Sequence, residues 1–124
     1  MKKLTFTLLI FLTGFITSCS SEQTAVSSIE NSKTQEMKNF DNALKSLMKP
    51  ENRSTPDEKA RWGAQLNDRS LDILYNASNN LLSVNRIEFA KTESREGKEK
   101  VISQATKLYF EKLKGIEQNV KSEN

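Results

Sequence analysis

Few side chains in this chain are equipped for covalent or acid–base chemistry. Histidine is absent and Cys19 is the single cysteine, so a histidine base, a His-rich metal site and an intramolecular disulfide are all ruled out. Two carboxylate pairs remain. Asp57 and Glu58 are adjacent, and Asp68 and Asp72 lie four apart, a spacing that puts both on one face of a helix. Adjacent carboxylates can divide acid and base roles when their surroundings separate their pKa values. Here, however, the pair directly follows Thr55-Pro56, where helix capping accounts for both. Asp68 and Asp72 would need further ligands to hold a metal, none is evident, and Arg61 and Arg69 stand close by to solvate them with charge. No glycine-rich phosphate loop and no G-x-S-x-G turn occurs. The chain is therefore read as a non-enzyme with no cofactor and no metal.

The cysteine is best placed to do something. Lys2 and Lys3 open the chain, residues 4–16 follow as an apolar run interrupted by Thr5, Thr7, Thr13 and Gly14, and Ile16-Thr17-Ser18-Cys19 closes it. A cationic start and a short apolar segment form a secretory signal pattern, and the run is too short to span about 30 Å of hydrocarbon. Ile16-Thr17-Ser18-Cys19 resembles the lipobox of bacterial lipoproteins, a resemblance confined to residues 1–19. It implies that the Cys19 thiol carries a diacylglyceryl group, that the leader 1–18 is removed, and that the new amine is acylated with a palmitate-type chain. Each buried methylene adds about 0.8 kcal/mol, so two or three chains anchor stably where one does not. Ser20 stands where enteric members of that family carry an inner-membrane-retaining Asp. The resemblance thus implies an envelope protein held in the outer membrane and facing the periplasm.

Without Lys2 and Lys3 the net charge falls from +3 to +1, which gives no electrostatic footprint for nucleic acid. Residues 20–32 read SSEQTAVSSIENS, without apolar periodicity. Such a segment does not offset the entropy of ordering it, so residues 19–33 are expected to form a flexible tether ahead of a helical domain at 34–124.

Three amphipathic stretches make up that domain. In 34–49, Met37, Phe40, Leu44, Leu47 and Met48 recur at helical spacing, and Pro50 ends the run. Thr55-Pro56-Asp57-Glu58 is a capping-box start. Behind it Trp62, Leu66, Ile73, Ala77 and Leu81, flanked by Leu74 and Leu82, suggest one long helix to residue 82, weakened at Gly63 and Asn67-Asp68-Arg69-Ser70. Asn76, Asn79 and Asn80 suit its C-terminal end. The segment 83–92 is ambiguous, since Ile87 and Phe89 alternate like a strand, but a lone strand has nothing to pair with. From about 95 to 120, Val101, Ile102, Ala105, Leu108, Tyr109, Leu113, Ile116 and Val120 trace a stripe interrupted by Lys112. Glu96–Lys100 and Lys107–Glu111 are candidate i,i+4 pairs. Burying three stripes together gives an all-α fold, a small antiparallel bundle of about three helices.

Phe110 falls outside its stripe, where it can either pack against the loop around 83–92 or belong to an exposed contact surface; with Phe89 of the ambiguous connector it makes the candidate contact surface. The expected function is protein–protein contact with an envelope protein, as an accessory subunit, inhibitor or immunity-type protein. The alternative is a helical module that takes a small apolar ligand or lipid. Loose packing around Met37, Met48 and Trp62 would favour the ligand, and a solid core with Phe110 or Phe89 exposed would favour contact.

Overall fold

Proline and two polar caps divide the chain into its helices. The computed structural model describes the backbone over residues 16–123 and side chains over residues 24–123. The leader at 1–15 and the Cys19 side chain lie outside the described residues. The helices are α1 (Ile16–Ser32), α2 (Gln35–Ser46), α3 (Pro56–Trp62), α4 (Asp68–Val84) and α5 (Arg95–Ser122), with a 3-10 turn at Pro50–Asn52. The fold is all-helical, with no strand among the described residues. Among the described residues there are five α-helices, four of them within 34–123, where about three were expected. No described helix is long and apolar enough to cross a membrane.

Two compact units are present, Thr34–Lys114 and a second formed by Met1–Lys33 with Gly115–Asn124. In the second, residues 20–32, expected to be irregular, are helical. Ser28 and Ser32 turn their hydroxyls back onto the carbonyls of Thr24 and Ser28 (3.0 and 2.8 Å), and Lys33 pairs with Glu30 at 2.9 Å. These serine back-bonds accompany α1 without giving it an apolar face, and Val26 stays exposed. Val120, at the other end of the chain, is buried.

The Thr34–Lys114 unit is built on α2 and α4, which share the most extensive helix–helix contact. α2 buries Met37, Phe40 and Ala43, and α4 buries Leu71, Leu74, Tyr75, Ser78, Leu81 and Leu82. α5 closes the core with Val101, Ala105 and Tyr109. Tyr109 stacks obliquely on Phe40, with ring centroids 5.3 Å apart, and its hydroxyl donates to Asp41 at 3.0 Å.

Two expected stripes are shifted. In α2 the helix stops at Ser46, which leaves Leu44 at its exposed edge and Met48, beyond it, 73% exposed. In α4 the core face is 71/74/75/78/81/82, while Ile73 and Ala77 are only half-buried. The expected single helix over 56–82 is two. Gly63 takes φ +59°, a backbone conformation outside the helical region, and Asn67 restarts the chain as an N-cap, its side chain accepting from Ser70 N–H at 2.8 Å. The break resets the helical phase, so a stripe carried over from Trp62 lands on the wrong face.

α4 ends at Val84 with Asn85 as its C-cap, close to the expected end at 82. Arg86 N–H donates to the Ser83 carbonyl and Ile87 N–H to the Leu82 carbonyl, each at 2.9 Å, with Arg86 at φ 61°. This is a Schellman closure with arginine where glycine is favoured, and a left-handed residue with a side chain costs about 1 to 2 kcal/mol. Arg86→Gly is therefore expected to stabilise the unit by up to about 1 kcal/mol after the added unfolded-state entropy. A thermal melt checks this, and an unchanged or lower midpoint counts against the closure.

Candidate contact surfaces

Three of the four carboxylates singled out for their chemistry, Glu58, Asp68 and Asp72, are engaged in structure. Thr55 and Glu58 form both halves of the capping box: Thr55 N–H donates to Glu58 Oε2 at 2.8 Å, and Glu58 N–H donates to Thr55 Oγ1 at 3.3 Å. Arg69 grips the same carboxylate at 3.1 and 3.2 Å. The Thr55 amide, with help from Arg69, holds the Glu58 carboxyl below the usual glutamate range. A depressed carboxyl supports the fold above its unfolded pKa and loses that support as pH falls through its folded value.

Asp68 and Asp72 are each met by a cation from α5. Arg95 Nη2 lies 2.7 Å from Asp68, and Lys98 Nζ lies 2.7 Å from Asp72. Arg95 also stacks over the Trp62 ring at 3.8 Å, donates to the Leu66 carbonyl at 3.0 Å and reaches Glu99 at 3.4 Å. Asp72, ahead of a smaller effect from Glu93, raises the Lys98 pKa, so this lysine stays charged and is unsuited to act as a base. Tyr75 accepts from the Thr92 amide at 3.2 Å, and that bond chiefly lowers its pKa. The cluster fastens the first turn of α5 to the loop between α3 and α4. Among the described residues, no group of three or more His, Cys, Asp or Glu is placed to hold a metal.

The expected pairs Glu96–Lys100 and Lys107–Glu111 are absent from the ion pairs of the described residues, whereas Arg95–Glu99 forms. Lys100, Lys107, Glu96 and Glu111 are all exposed, and long exposed side chains gain too little from pairing to give up their rotamer freedom. Arg95 is already held in place by Trp62 and Asp68.

Phe110 is 58% exposed and meets the Tyr109 ring edge-on, with centroids 5.5 Å apart. With Thr106, Lys107, Glu111 and Lys114 it lines an open, mainly apolar depression of about 400 Å³. Phe89 is half-buried in the connector 87–93, which has no regular structure, and it borders a second depression of about 440 Å³ with Ile87, Asn80 and Ser83. Met48 is a further exposed apolar side chain that the sequence placed in the core. Pro50 was the available signal, because a helix that must end before it leaves Met48 past the last buried turn.

No protein-family model, no curated protein and no solved structure matches this chain.

Proposed function

We propose that the chain is a small bacterial lipoprotein, acylated at Cys19 and held in the envelope, that works without catalysis by binding another envelope protein. The observation that carries the contact half of this reading is Phe110, a large aromatic side chain on the outer side of α5 while its neighbour Tyr109 fills the core. Large exposed apolar groups bordered by charges are typical of interaction sites. Of the three residues set to separate contact from a ligand held between helices, Met37 is buried, which favours contact, while Met48 is exposed and Trp62 half-buried beneath Arg95. The leader pattern carries the anchoring half. In this reading the domain faces the periplasm from the outer membrane, with α2, α4 and α5 as an antiparallel bundle. Residues 19–33 form a helical spacer about 20 Å long.

The two halves are tested separately. Cys19→Ala is expected to abolish incorporation of a fatty-acid analogue and to leave the precursor uncleaved, and label on the mutant would refute lipidation at this residue. Phe110→Ser is expected to leave helicity and melting temperature nearly unchanged while weakening capture of the partner at least about tenfold, roughly 1.4 kcal/mol. The measurement is a pull-down of envelope proteins with the intact lipoprotein as bait. A folded variant that captures the same partner undiminished would end the Phe110 reading.

A further inference from the structure

The outer face of α5 is a clear strip whose charge pattern is complementary to itself. At about 3.6 residues per turn, Lys100, Ser103, Lys107, Phe110, Glu111 and Lys114 fall on one side of the helix, and all six are exposed. They span about 21 Å along the axis, so a second helix can lie along this face without meeting the rest of the described protein. Lys107 and Glu111 are one turn apart, yet they make no ion pair with each other or with any other described residue. A lysine that precedes its glutamate by four residues is the weaker order for pairing within one helix. Both charges are therefore left for a partner, and both border the apolar depression of about 400 Å³ that holds Phe110.

We propose that this face binds a second copy of the chain, with the two α5 helices antiparallel about a two-fold axis midway between residues 107 and 111. Such an axis sets Lys107 of each copy level with Glu111 of the other, and Lys114 level with the neutral Gln104. The two Phe110 side chains then lie about 3 Å apart along the helix axis. Rotation about this axis keeps each side chain on its own flank of the pair, so Phe110 meets Phe110 on one flank and the opposite charges meet on the other. Parallel pairing is opposed by the same residues, because it sets Lys107 on Lys107 and Glu111 on Glu111. The self-complementary charges are thus the observation that names the occupant. A strip this narrow lies at the weak end of interface sizes, so a dissociation constant of about 0.1 mM is expected. Copies anchored in one membrane would meet at a higher effective concentration. The proposal rests on the reading of Phe110 as a contact residue and deepens it by naming the partner.

The test uses the full-length chain in intact cells. Two differently tagged copies, one Gln104→Cys and the other Lys114→Cys, are produced together and treated with a short thiol-reactive cross-linker, with copies that keep only Cys19 as the background. A mixed dimer is expected, with little from either variant produced alone, because like positions lie about 15 Å apart along the axis. Lys107→Glu in both copies, or Glu111→Lys in both, is expected to lower the yield at least about tenfold. Lys107→Glu in one copy with Glu111→Lys in the other is expected to restore it, since opposite charges again meet. Efficient cross-linking within one variant, a yield unmoved by the charge reversals, no rescue in the mixed pair, or no dimer above background overturns the proposal. The reversals change exposed side chains only, so they decide the question even if Phe110→Ser fails to fold. If Phe110→Ser loses a different envelope protein from the pull-down while copies give no mixed dimer, the contact reading stands and self-pairing falls.

Discussion

Phe40→Ala is expected to lower the unfolding free energy by about 3 to 5 kcal/mol, the range for emptying a buried aromatic site. Phe40 has no exposed surface, packs on Tyr109 of α5, and sits on α2 within the most extensive helix–helix contact of the unit. Neighbouring helices therefore cannot relax into the space without disturbing one another. Domains of this size have roughly 5 to 15 kcal/mol to lose, so the variant should unfold at a much lower urea concentration. Tyr109→Phe is the calibrating variant, since it keeps the ring contact and removes the hydroxyl with its bond to the Asp41 carboxylate, at about 1.5 to 3 kcal/mol. If Phe40→Ala costs no more than Tyr109→Phe, the core is not centred on this ring pair. Leu108, half-buried, should cost less than Phe40.

Asn67→Ala is expected to cost about 2 to 4 kcal/mol, which is large for a short polar side chain. Asn67 is nearly fully buried and uses both ends of its amide. Its oxygen caps α4 through Ser70 N–H, and its nitrogen donates to the Asn52 carbonyl at 2.9 Å and to Ser54 Oγ at 3.2 Å. Asn52 in turn donates to the Ser46 carbonyl at 2.8 Å, so one amide joins the start of α4 to the end of α2. Asn67→Ser can still cap but cannot reach both partners, and should recover part of the loss. If urea unfolding shows Ala and Ser variants equally stable, the cap contributes nothing and the network alone carries the effect.

How much of this was legible in the sequence depends on how local each signal is. The capping box at Thr55 and Glu58 was readable because its partners are three residues apart. The buried Val101, Ala105 and Tyr109 of α5 were readable because nothing interrupts that helix. The face of α4 was misplaced for two reasons: the phase was carried across Gly63, and Ser78, a fully buried serine, stands where a stripe would have shown an apolar residue. The segment 20–32 was read as irregular from its lack of an apolar face, yet serine back-bonding accompanies a helix there. The ion pairs joining α4 to α5 connect residues 26 and 27 apart, and no sequence period reports such a pairing. Of the candidate surface, Phe110 was visible as the aromatic outside its stripe and Phe89 as the alternating residue of the connector. Met48 was hidden, because periodicity continued past the point where the helix stops.

The clamp at the start of α5 also sets an order of assembly. Arg95 and Lys98 occupy the first turn of the helix, where the backbone dipole favours acidic side chains and opposes cations. Their partners Asp68 and Asp72 lie at the start of α4, where negative charge is favoured. The first turn of α5 has support of its own in Glu96 and in Ser94, whose hydroxyl accepts from Gly97 N–H at 3.1 Å, but Arg95 and Lys98 gain their carboxylate partners only once α4 is present. The clamp between α4 and α5 is therefore expected to form late, after α4 has placed Asp68 and Asp72. Late-forming contacts govern escape from the folded state more than entry into it, so Asp68→Asn and Asp72→Asn would quicken unfolding while leaving the folding rate nearly unchanged.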